Sequence, residues 1–79
     1  MSVAEMFQML DECVDSQNYT ERMEFILFCM DHSNLLVESE TLLQSVLFTF
    51  RRVKETCRHK SHRALLSSFI RCLEPFVDC

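Results

Sequence analysis

Not one of the 79 residues is glycine, and only one is proline. Loops that cradle phosphate, the turn that exposes a hydrolase nucleophile and tight β-hairpin turns all lean on positive φ, which glycine adopts without a Cβ clash. A chain with none is a poor candidate for a Walker-type loop, a Rossmann turn, an α/β-hydrolase elbow or most compact β folds. Helices joined by short polar turns remain.

A chain of 79 residues supports one domain, 1–79, or a piece of a larger helical protein. Chains this short remove only about 60–65% of their unfolded surface from water, so the core alone gives thin stability. Disulfides, a metal or a second subunit often make up the difference. Here the cysteines number five, an odd count, and Met1-Ser2-Val3-Ala4-Glu5 lacks the basic start and apolar centre of a secretory leader. The longest fully apolar run, Phe25 to Met30, is six residues, against about 20 for a membrane span. These features place the chain in a reducing compartment, cytoplasm or nucleus, away from membrane, with Cys acting as a small hydrophobe.

Seven of the eight residues from Met23 to Met30 are apolar, and the rest of the chain reads as cover for this run. Ahead of it, Ser2 and Glu5 form an S-x-x-E capping box for a helix over about 3–15, with Val3, Met6, Phe7, Leu10 and Val14 on one stripe. A second helix over about 20–32 starts at Asn18 or Thr20. It carries one stripe of Met23, Ile26, Leu27 and Met30, and a second face of Phe25, Phe28 and Cys29. A third starts near residue 35 or, with Ser39 as cap, near 40, and runs to about 58. Its stripe is Leu42, Val46, Phe50 and Val53, broadened by Leu43, Leu47 and Phe48. Ser61 caps a fourth over about 62–74, with Leu65, Leu66, Phe69, Ile70, Leu73, Phe76 and Val77 apolar and Pro75 biasing Glu74 out of helical geometry. The expected fold is all-α: a four-helix up-down bundle, or two stacked helical hairpins of the HEAT or armadillo kind. The abrupt end at Phe76-Val77-Asp78-Cys79 reads as a boundary within a longer chain.

Charge is distributed unevenly. Residues 1–40 hold nine acids and one base, while six of the eight Lys and Arg fall between positions 51 and 63: Arg51, Arg52, Lys54, Arg58, Lys60 and Arg63. In an up-down arrangement this segment faces Asp11, Glu12, Asp15, Glu21 and Glu24, so internal pairing or a solvated face is the simplest expectation. An acidic protein partner is the next reading, and nucleic acid a third. The acidic pI, near 5, does not suit an autonomous DNA binder.

Cys29-x-x-His32 and Cys57-x-His59-x-x-His62 supply five metal-ligating residue types. Zinc needs four such groups converging on one point, at about 2.0–2.3 Å. With helices two and three antiparallel about residue 38, Cys29 and Cys57 fall some 15 Å apart along the axis. We therefore expect no metal, cofactor or small-molecule substrate. Cys57 beside His59 or His62 lacks an oxyanion-forming loop and an orienting acid, and no catalytic role is expected.

Five Met and seven Phe exceed what a core this small readily takes. Met also suits adaptable binding surfaces. Apolar side chains left outside the core drive association, each worth about 1.5–3 kcal/mol when buried. The expected function is a non-enzymatic interaction module, a subunit or scaffold domain that pairs with a protein partner or its own copy. Phe25, Phe28, Leu47 and Phe48, off the best-formed stripes, are the candidate partner-binding residues, with an amphipathic helix or peptide as ligand. The alternatives are a module that uses the basic 51–63 segment on nucleic acid or an acidic partner, and a small zinc-stabilised domain.

Overall fold

A computed structural model describes residues 2–77. Met1, and the terminal Asp78 and Cys79 read above as part of an abrupt end, lie outside the described residues. The described chain is all-α, with α1 (Val3–Asp15), α2 (Tyr19–Asp31), α3 (Ser33–Glu38), α4 (Glu40–Thr56) and α5 (Lys60–Val77).

Short polar side chains set where the helices begin. The Ser2 hydroxyl oxygen accepts from the Glu5 backbone N–H at 3.3 Å and its O–H reaches Glu5 Oε1 at 3.4 Å. Asn18, not Thr20, caps α2: its Oδ1 accepts from the N–H groups of Thr20 and Glu21 at 2.9 and 3.3 Å. The two expected starts of the third helix resolve into two helices. Ser39 is extended, at φ −129° and ψ 115°, which breaks the chain after α3, and its Oγ accepts from Leu42 N–H to start α4. Among the described residues the bundle therefore has five helices rather than four. Two expected boundaries move. α5 begins at Lys60, one turn of its ladder closing from Arg63 N–H to the His59 carbonyl at 2.9 Å, so Ser61 lies inside it. It also continues through Pro75 to Val77. Proline's fixed φ fits a helix, and so near the end its missing N–H costs a single ladder bond.

α4 is the centre of the assembly. It packs against α1, α3 and α5, while α2 lies against α1 and α3. The uniformly apolar run in α2 is thus a flank, and α4 takes the central place expected for it. One buried cluster draws on all five helices: Met6, Leu10 and Cys13 from α1, Leu36 from α3, Leu66, Ile70 and Leu73 from α5, and the inner faces of α2 and α4.

Inside, α2 contributes Met23, Phe25, Ile26 and Cys29 and turns Leu27 outward. Leu27 was expected in the core and Phe25 outside it; the helix is rotated so that the reverse holds. The Phe25 ring meets Phe50 edge-on at 6.4 Å and 83°, and Phe50 lies 5.8 Å from Phe69. This aromatic row ties α2, α4 and α5 together. Similar rotations expose three other stripe residues, Val14, Leu65 and Phe76. With Cys13 turned inward, Val14 stands a further 100° round the helix and faces out.

Candidate interaction site

α1 and α4 lie side by side, and their outer edges leave two clefts with Phe48 between them. One, of about 310 Å³, is lined by Cys13, Val14, Arg22, Phe48, Thr49, Arg52, Val53 and Thr56. The other runs along Phe7, Leu10, Asp11, Val14, Thr41, Gln44, Ser45, Phe48 and Thr49. Phe48 and Val14 belong to both. Phe48 is 63% exposed and Val14 55%, so two large apolar side chains stand in water on adjoining helices.

The floor of this surface is built to be inert. The Thr49 hydroxyl, which would otherwise be a buried unpaired donor, gives its hydrogen to the Ser45 carbonyl at 2.9 Å. Burial pushes the pKa of the Cys13 thiol up, partly offset by the positive charge of Arg22, so Cys13 stays a neutral, poorly nucleophilic wall. The walls are cationic. Arg52 holds its guanidinium carbon 5.8 Å from the Phe48 ring centre, one turn along α4. Arg22 is anchored by Nε, which donates to the Ser16 carbonyl at 2.8 Å, and among the described residues its Nη groups carry no partner. An apolar ridge flanked by two guanidinium groups is therefore the chemical character of the site.

Of the residues expected to bind a partner, Phe48 alone is fully outside. Phe25 and Leu47 are buried, which corrects their assignment to a free surface. Phe25 fills the aromatic row, and Leu47, next to Phe48 in sequence, falls 100° round α4 in the core. Phe28 is half-buried, its ring stacked on His32 at 4.1 Å, and lines a separate cleft with Met9, Glu12 and Glu24. Val14 and Arg22 were missed as site residues. Val14 was read as core, and Arg22, the one base of the first forty residues, was the available signal.

The basic segment does not form one face. Arg51 turns to Glu74 at 3.6 Å, Arg52 lines the cleft, and Arg63 donates to the Cys57 carbonyl. Arg58 and Lys60 are exposed and Lys54 half-buried. Pairing with the acids of α1 and α2 was expected; among the described residues the segment's ion pair is instead with α5.

Below this, where α4 passes into α5, Tyr19 sits among Cys57, His59 and His62. Its hydroxyl hydrogen-bonds His62 Nδ1 and lies 3.7 Å from Cys57 Sγ, and its ring is 4.9 Å from that of His59. Partial burial and the Cys57 contact push the pKa of the Tyr19 phenol up. Cys29 is elsewhere, in the core 4.0 Å from the Met6 sulfur. Among the described residues no group of three or more His, Cys, Asp or Glu side chains is arranged to hold a metal ion. Nor, among them, is any helix long and apolar enough to cross a membrane.

The chain matches no protein-family model, no curated protein and no solved structure.

Proposed function

We propose that this chain is a non-enzymatic protein-interaction module whose α1–α4 surface receives an amphipathic helix or peptide from a partner. The observation that carries this reading is Phe48, 63% exposed between two clefts and continuous with Val14. Exposed apolar groups concentrated at a groove mark binding surfaces more often than scattered ones do. Arg22 and Arg52 give the groove its preference: a partner strip with a large apolar residue at its middle and carboxylates on its flank. The exposed bases Arg58 and Lys60 favour an acidic partner in the same direction.

The test is fluorescence anisotropy with a labelled amphipathic helical peptide, Leu- and Phe-rich on one face and Glu-rich on the next. Saturable binding is expected, weakened about tenfold or more by Phe48→Glu and several-fold by Arg52→Glu. Binding that both variants leave unchanged sinks the assignment of this groove. Tight, salt-sensitive retention of the chain on heparin or DNA, lost on reversing Arg51, Arg52 and Lys54 to Glu, would instead favour a nucleic-acid role.

A further inference from the structure

The walls of the α1–α4 cleft specify a ligand more narrowly than an acidic strip, a specification that rests on that surface being the partner groove. At about 310 Å³ the cleft is at the small end of ligand pockets, about 300–1,000 Å³, so it suits one inserted side chain. Two of its walls are bases, Arg22 and Arg52, and none is an acid. The acids nearby are engaged or placed elsewhere. Glu21 accepts from the Ser16 hydroxyl at 2.7 Å and lines the separate cleft of Phe28, while Asp11 lines the neighbouring cleft along Thr41. Asp15 and Glu55 are exposed, and among the described residues neither Arg22 nor Arg52 makes an ion pair.

Each guanidinium is positioned without consuming its Nη donors. Arg22 is held through Nε on the Ser16 carbonyl at 2.8 Å, and Arg52 lies against the Phe48 ring, 5.8 Å from its centre. Two fixed positive charges on one cavity match a dianion. A single carboxylate answers one of them, and two carboxylates in so small a space repel one another. A phosphate monoester carries about −1.5 to −2 at neutral pH, with three acceptor oxygens on one group. The chain's formal net charge of −4 does not decide the matter, because at ordinary ionic strength charges beyond about 8 Å are screened. The other walls indicate what bears the phosphate. Val14, Phe48, Val53 and Cys13 are apolar, so a short phosphorylated side chain would leave them bare and an aromatic ring would cover them. We infer that the cleft takes a phosphorylated tyrosine side chain of the partner, its ring on the Val14–Phe48 ridge and its phosphate between Arg22 and Arg52.

The test compares labelled amphipathic helical peptides that differ only at their centre: tyrosine, phosphotyrosine, phosphoserine or a Glu-Glu pair. Fluorescence anisotropy with the full chain at pH 7.5 should show the phosphotyrosine peptide binding about tenfold or more tighter than the tyrosine peptide. That ratio should shrink as pH falls from 7.5 to 5, because the phosphate takes up its second proton near a pKa of about 6. The walls do not change charge in that window: Arg22 and Arg52 stay cationic and Cys13 neutral. Arg22→Gln and Arg52→Gln should each bring the ratio to about threefold or less, with far-UV helicity unchanged. Arg52 is exposed, so its variant carries the test if loss of the Ser16 anchor unfolds Arg22→Gln. Phenyl phosphate, with no helix to dock, should by itself move the Arg22 and Arg52 side-chain Nε–H resonances in NMR spectra at millimolar concentration.

Tyrosine and phosphotyrosine peptides that bind alike overturn the phosphate site and leave the groove standing. An equal gain from phosphoserine or from the Glu-Glu pair overturns the aryl phosphate as its ligand. A gain that neither arginine variant reduces overturns its location. If no peptide binds, the groove reading fails, and phenyl phosphate decides the anion site alone: movement of both arginine resonances supports it, and no movement overturns it.

Discussion

Phe50 and Phe48 sit two residues apart on α4, yet one is the middle of the aromatic row and the other the crest of the interaction surface. Phe50 is 0% exposed, between Phe25 and Phe69; Phe48 is 63% exposed, beside Arg52. The chemistry is the same and 200° of helical rotation separates them. What differs is what the neighbours can do. α2 and α5 close over the inner side of α4, whereas on the outer side α1 reaches only as far as the clefts that Val14 edges. Position round a helix, rather than hydrophobicity, therefore sorts this chain's aromatic surplus into stability and recognition. Each expectation below would break or sharpen that division.

The largest effect belongs to the inner row. Phe50→Ala removes the ring that joins α2 to α5 and should cost about 3–5 kcal/mol, enough to unfold much of a chain this small. Urea denaturation followed by far-UV circular dichroism measures it. A loss under 1 kcal/mol would mean that the row is not the element holding the helices together.

The inner side is also sealed against ionisation. Burial, with Cys13 nearby, pushes the Cys29 thiol up to about 12. An unfolded thiol ionises near pH 8.5, so the folded state holds this proton more tightly than the unfolded state does. Its contribution is whole below that pH and is lost progressively as pH rises from about 9 toward 12. The melting temperature should therefore fall across that window, and less steeply in Cys29→Ala once its own lower baseline is subtracted. Alkylation with iodoacetamide at pH 8 should label exposed Cys72 well before Cys29. Comparable rates at the two would place Cys29 outside the core.

Helix starts give a smaller effect. Asn18→Ala strips α2 of the side chain that accepts from Thr20 and Glu21, at about 1 kcal/mol, again by urea denaturation. Thr20→Ala should cost less, since Thr20 is inside the helix and not its cap. Equal losses would contradict the capping geometry.

Where a helix starts with a short polar side chain and has a clear stripe, the sequence was sufficient. α1 was legible from Ser2 and the steps through Met6 and Leu10; the inner stripe of α4 was legible from Leu42, Val46 and Phe50, while its start was left open between residues 35 and 40. α2 was not, for a physical reason: with six apolar residues consecutive, the periodic signal is nearly flat and no rotation is preferred until neighbours are known. Hence Phe25 and Leu27 were exchanged. α3 is six residues, too short to show a period of its own. Leu65 and Phe76 were read as core because a stripe on the sequence does not say how wide the neighbouring helix is, and α5 has one main neighbour. The candidate site was legible only in Phe48. Its partners Val14 and Arg22 come from other helices, and their convergence is a property of packing.

The smallest expected stability effect is the one on which the functional division rests. Phe48→Ala takes away a ring that is mostly in water, so folding should change by no more than about 0.5 kcal/mol. At 5.8 Å, near the limit of about 6 Å for such contacts, its cation–π pairing with Arg52 belongs at the low end of what exposed pairs give, about 0.5–1 kcal/mol. Binding of the acidic amphipathic peptide should nonetheless weaken severalfold. Phe28→Glu provides the intermediate case. Its ring is half-buried against His32, so the charge should disturb folding more than Phe48→Ala does and less than Phe50→Ala. If Phe48→Ala destabilises the chain as much as Phe50→Ala does, the outer side of α4 is core and the division fails. If it changes neither folding nor peptide binding, the exposed ring has no role in recognition and the surface must be sought elsewhere.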